Sequence, residues 1–104
     1  MNLNITGHQL SITTALKNYI DQTFMKNQRH FCDRLDVHMV LEVKKLVNKV
    51  EITTRLPGKD LHVEVENSNM YRAIDLIAQK MDRQIIKYKE THSTDMHSAK
   101  LSGQ

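Results

Sequence analysis

The chain has 104 residues, 39% hydrophobic and 26% charged, with a formal charge of +3. That suits one domain, whose core is too small for a large buried active site. No run approaching the ~18 apolar residues of a transmembrane helix occurs, and the mildly basic balance does not by itself imply nucleic acid, so the distribution of charge must carry that argument.

Cys32 is the single cysteine. It cannot close an internal disulfide, so a reducing, intracellular compartment is expected. The opening MNLNITGHQL has no basic patch followed by an apolar run, which argues against a signal peptide and for a cytoplasmic protein.

Residues 2–6 alternate, with Leu3 and Ile5 on one face, and read as a short strand broken by Gly7 and His8. Thr13 can cap a helix from about 14 to 29. Its buried stripe is Leu16, Ile20, Phe24 and Phe31, with Asn27 standing where an apolar residue is expected; Lys26 and Arg29 point away. Residues 35–45 alternate next, with Val37, Met39, Leu41 and Val43 inward and His38, Glu42 and Lys44 outward. Over 49–56 the inward set is Val50, Ile52, Thr54 and Leu56. Pro57-Gly58 suits the centre of a type II turn, and 60–66 follows with Leu61, Val63 and Val65 inward.

Asn69 then caps a helix over 69–89. Met70, Ile74, Ile77, Met81, Ile85 and Tyr88 form its apolar stripe. At roughly 100° per residue, Arg72, Lys80, Arg83 and Lys87 fall within an arc of about 80° on one flank. Asp75 and Asp82 fall on the other. Lys80/Arg83 and Arg83/Lys87 are like-charge pairs at i, i+3 and i, i+4, each costing a helix a few tenths of a kcal/mol. A helix optimised for its own stability would interleave the signs.

The order βαβββα predicts an α+β fold: a two-layer sandwich in which a four-stranded mixed sheet carries both helices on one face. The first crossover makes strands one and two parallel and right-handed in connection; hairpins join the rest. Residues 1–90 form the α/β domain, and 91–104 read as a flexible tail without apolar periodicity. Outward strand positions mix Glu42, Glu51, Glu64 and Glu66 with Lys44, Lys49 and Arg55, so the basic excess lies on the helical side. A charge run is often only a solvated helix face. Here the segregation of sign, and the placing of Lys26 and Arg29 on the other helix, point to a polyanion. Five aromatic residues are too few for a single-strand stacking platform. Recognition of backbone and shape suits a folded RNA.

Other chemistry finds little support. The six histidines make no zinc-type pair, and His30, Cys32, Asp33 and His38 match no ligand spacing. Cys32 has no evident base beside it. Glu64 and Glu66 read as a solvated strand face rather than an acid/base pair. Gly7, Gly58 and Gly103 are isolated, so there is no phosphate loop. Met70 and Met81 read as core. No enzyme activity, cofactor, metal, small-molecule substrate or membrane partner is expected.

The stretches MNLNITGHQLSIT, VHMVLEVKK and NMYRAIDLIAQKMDRQIIKYK resemble the bacterial ribosome hibernation-promoting factors, the family that includes the ribosome-associated inhibitor. The most specific piece is the final helix: Asn69, Met70, Tyr71, Ala73, Ile74 and Asp75, then Lys80, Arg83, Gln84, Lys87 and Lys89. The resemblance implies binding to the small ribosomal subunit and its rRNA near the decoding centre. It also implies occlusion of the mRNA and tRNA path, and silencing of translation in starved or stationary cells. Short members, which this chain resembles, support ribosome dimerisation together with a separate ribosome modulation factor. Asn27 departs from the family's core leucine, Thr23 from a frequent lysine, and the tail lacks the inhibitor subtype's acidic run. The residues expected to hold rRNA phosphates are Lys26, Arg29, Arg72, Lys80, Arg83, Lys87 and Lys89. The competing readings are a generic double-stranded RNA-binding domain, a protein-interaction module using a sheet edge, and a small enzyme.

Overall fold

The computed structural model describes residues 2–26 and 35–91. The elements follow the expected order: β1 (Asn2–His8), α1 (Thr14–Met25), β2 (Asp36–Val43), β3 (Asn48–Leu56), β4 (Lys59–Asn67) and α2 (Met70–Thr91). The sheet order is β1-β2-β3-β4. β1 runs parallel to β2, and the other two pairings are antiparallel. Alternation in the strands sends Val37, Met39, Leu41, Val50, Ile52, Leu61 and Val63 into one core with Leu16, Ile20 and Phe24 of α1 and Ile74, Ile77, Met81 and Ile85 of α2. Both helices therefore cover the same sheet face, as a half-apolar sheet requires. The long helix lies over β3 and β4 and against α1.

Local chemistry sets the ends of the helices. The Thr13 hydroxyl accepts from the Leu16 amide at 3.1 Å, and the Asn69 side chain accepts from the Tyr71 and Arg72 amides at 2.9 and 3.2 Å. Each satisfies donors that the first helical turn leaves open. Leu56 pairs with Lys59, so Pro57 and Gly58 form a two-residue turn. Gly58 takes φ +78°, the left-handed value that a type II turn needs at its third residue. Tyr88 Oη donates to the Pro57 carbonyl at 2.5 Å and pins the far end of α2 to this turn.

Three sequence expectations are corrected. Gly7 and His8 do not break β1, because the parallel ladder continues to His8 opposite Glu42. The chain instead turns at Gln9, whose φ is +58°. Glycine is needed at position 7 because the loop folds back on the strand, and a β-carbon there would collide with the Leu10 carbonyl oxygen. Val43, expected inward, is exposed at the end of β2. Strand β2 closes at Val43 rather than at 45. Helix α1 ends at Met25 with Lys26 as its C-cap; the expectations for Asn27, Arg29, His30, Phe31, Cys32, Asp33 and the tail beyond Thr91 lie outside the described residues.

Among the described residues, Thr54 is the buried polar residue of the core, and its hydroxyl donates to the Asp36 carbonyl at 2.6 Å. Thr54→Val keeps the shape and leaves that carbonyl without its partner. Urea unfolding should show a loss of about 1–3 kcal/mol with an unchanged m-value.

Candidate nucleic-acid interface

The two faces of the molecule treat their charges in opposite ways. On the open sheet face, Lys49 lies 3.1 Å from Glu64 and 3.9 Å from Glu51. Lys44 meets Glu66 at 3.6 Å and Arg55 meets Asp60 at 3.3 Å. The hydrogen bond between Lys49 and Glu64 raises the Lys49 pKa and lowers that of Glu64. Glu64 is therefore not simply solvated. Glu51, His62 and Glu64 bring potential ligand atoms within 4.8 Å of one another. Lys49 already supplies the positive charge of that cluster, so a metal ion would have to displace it.

On the helix layer Lys17 pairs with Asp21 along α1 at 3.0 Å, but the described cations expected to hold phosphate have no such partners. Among the described residues, no ion pair closes on Lys26, Arg72, Lys80, Arg83, Lys87 or Lys89. Arg72, Arg83 and Lys87 are exposed along α2. At 1.5 Å per residue, Arg72 and Lys87 stand about 22 Å apart along the axis. The Asn69 cap fixes the backbone at Arg72 directly.

The structure gathers these residues unevenly. Lys26 of α1 and Arg72 of α2 line one groove between the helices, as a surface shared by both helices requires. Arg83 and Lys87 extend the surface along α2. Lys80 instead bends toward the sheet, where its ammonium donates to the Glu64 carbonyl of edge strand β4 at 3.0 Å. Lys89 is half-buried, and Arg29 lies outside the described residues.

Sequence reasoning missed the link between the helices. Tyr19 Oη donates to Asp75 Oδ1 at 2.7 Å, and the Tyr19 and Tyr71 rings meet edge to face with centroids 4.9 Å apart. The available signal was only that Asp75 lies on the flank of α2 opposite the arginines. The hydrogen bond to Asp75, with some desolvation, raises the Tyr19 pKa above its ordinary 10.0.

The two-layer βαβββα sandwich is a known architecture. It resembles the N-terminal domain of Protein Y from Thermus thermophilus, with a TM-score of 0.77 and 28% identity over 85% of this chain and 99% of that one. A ribosomal subunit interface protein from Coxiella burnetii gives a TM-score of 0.79 and 28% identity over 86% and 99% of the two chains. The chain belongs to the family described as Sigma 54 modulation protein / S30EA ribosomal protein, whose model matches residues 3–93. Curated relatives named ribosome hibernation promoting factor include one from Azotobacter vinelandii, 42% identical over 86% of this chain and 84% of that one. The relative from Escherichia coli K12 is 37% identical over 86% and 95%, and that from Pseudomonas putida 34% over 95% and 97%. The resemblance read from the sequence therefore holds. It is a family of ribosome hibernation factors and not a known enzyme family. Among the described residues, no helix is long and apolar enough to cross a membrane.

A Tyr pKa raised in the folded state gives stability that is full below pH 10 and lost as pH climbs through the folded value. Tyr19→Phe should therefore flatten the alkaline fall in stability, read by urea unfolding at stepped pH above about 9. An alkaline fall as steep in the variant as in the wild type would contradict this.

Proposed function

We propose that this protein is a cytosolic hibernation factor that binds the small ribosomal subunit near the decoding centre. Its grip is on rRNA phosphates, through Arg72, Arg83, Lys87 and Lys26, with Arg29, Lys80 and Lys89 in support. The folded body then occupies the path of mRNA and tRNA and silences translation without chemistry, and like the short relatives it favours ribosome dimers. One observation carries the reading: Lys44, Lys49 and Arg55 of the sheet face are paired with carboxylates, while on the helix layer, Lys17–Asp21 aside, Lys26, Arg72, Arg83 and Lys87 close no ion pair among the described residues. Unpaired Arg and Lys on one surface suit phosphate, which Arg can meet with two parallel hydrogen bonds.

The competing readings fit less well. A generic double-stranded RNA-binding domain carries a Lys-rich start to its last helix, and the first turn of α2 offers Arg72 alone. A partner strand added to β4 would meet an edge carbonyl already taken by Lys80.

Arg83→Glu combined with Lys87→Glu changes exposed side chains only. The thermal melt should stay within a degree or two of wild type (roughly ±0.5 kcal/mol for such sites), and co-sedimentation with purified small subunits should disappear. Continued binding by the double variant would remove these residues from the site. For wild type, neutralising four to six phosphates should give a log–log slope of affinity against salt of roughly −3 to −5.

A further inference from the structure

The groove between α1 and α2 holds more than a backbone phosphate needs. Its volume is about 380 Å³, within the roughly 300–1,000 Å³ typical of small-ligand sites. Lys26 and Arg72 stand on its opposite walls, yet Gln22, Gln79 and the Asp75 carboxylate line it too. A site for phosphate alone has no use for a carboxylate, which would repel it. Tyr19 engages Asp75 Oδ1 and fixes the orientation of the group. Oδ2 has no hydrogen-bond partner among the described residues. The groove thus combines two cations with two amides, each able to donate and accept, and, on the half-buried Asp75, one carboxylate oxygen that can only accept.

Granting the RNA-binding reading above, we propose that this groove receives one unpaired nucleotide of the bound RNA, phosphate between Lys26 and Arg72 and base inward. The base's amino group donates to Asp75 Oδ2, and Gln22 and Gln79 meet the rest of its edge or its ribose hydroxyl. Unstacked bases in folded RNA are read along such edges. An acceptor-only carboxylate selects for a donor. Guanine, adenine and cytosine carry exocyclic amines. Uracil's one ring N–H is flanked by two carbonyl oxygens that would face the carboxylate. The groove therefore discriminates against uracil.

Short oligo-A, oligo-C, oligo-U and abasic ribose-phosphate strands would be titrated against the full chain by fluorescence anisotropy at fixed low salt, beside free AMP. Oligo-A and oligo-C should bind about fivefold or more tighter than oligo-U and the abasic strand, and AMP more weakly than oligo-A. Asp75→Asn keeps an oxygen for Tyr19 and adds an N–H₂ that can donate to a uracil carbonyl, so the preference should collapse or invert. Should that variant fold poorly, the wild-type side-chain amide resonances of Gln22 and Gln79 give a second readout: they should shift with oligo-C and stay still with oligo-U. Equal affinity for all four strands would overturn the proposal, as would AMP binding as tightly as oligo-A, which would make the groove a free-nucleotide site. Wild-type co-sedimentation with small subunits separates the two failures. If it persists without base preference, only the nucleotide groove is wrong; if it is absent, the ribosomal reading falls.

Discussion

A sheet with one apolar face must be covered on that face, and every feature of the charged surface descends from how this is done. Val37, Met39, Leu41, Val50, Ile52, Leu61 and Val63 all point the same way. At roughly 25 cal/mol per Å² of apolar surface, leaving them in water would outweigh the marginal stability of such a domain. The crossover between parallel β1 and β2 supplies one helix, and the segment after β4 supplies the other. With their stripes committed to one layer, α1 and α2 must lie side by side, and their polar flanks must meet. The Tyr19–Asp75 hydrogen bond and the edge-to-face Tyr19–Tyr71 contact are where they do. The groove that holds Lys26 and Arg72 is the open part of the same seam.

Electrostatics then distinguishes the two exposed surfaces. The sheet's outer face is a lattice of short-range compensation, in which Lys49 serves both Glu51 and Glu64 while His62 lies 3.5 and 3.6 Å from the same two carboxylates. Exposed pairs of this kind stabilise a fold only slightly. Their larger effect is to leave little net field on that side. Arg83 and Lys87, one turn apart on α2, do the opposite: they repel each other mildly and leave a positive field. Interleaved glutamates would have removed that repulsion at no structural cost, so the uncompensated arrangement does not serve the helix's own stability and suits the proposed interface.

How much of this could be read from the sequence depended on the range of the forces involved. Thr13, Asn69, the Ile74–Ile77–Met81–Ile85 stripe and the Pro57-Gly58 turn are local in origin, and the structure bears each of them out. Gly7 was misread because glycine commonly breaks strands; its reason here is the approach of the Leu10 carbonyl, which no local pattern announces. Val43 keeps the period of its strand but stands exposed as its last residue. The helical wheel grouped Lys80 with Arg72, Arg83 and Lys87, yet its side chain is long enough to reach the edge of β4 and does so. Asp75 was legible as a charge on the far flank of α2. Its role could not be read, because Tyr19 lies 56 residues away in the chain and only the packed helices bring the two together.

For a protein proposed to act by filling space, the value of these contacts lies in rigidity. Helix α2 is held at its start by Asn69, along its first turns by the Tyr19–Asp75 bond, and near its end by Tyr88 on the Pro57 carbonyl. Each anchor reaches a different element: its own cap, α1, and the β3–β4 turn. The backbone beneath Arg72, Arg83 and Lys87 is thereby fixed before any partner arrives. What remains to be ordered on binding is the side chains alone, at roughly 0.5–1.5 kcal/mol each. A helix free to tilt would add its own ordering cost and would also yield to an incoming strand or tRNA. On the proposed reading, three anchors on one helix would let a 104-residue chain both grip through exposed charges and stand firm as an obstacle.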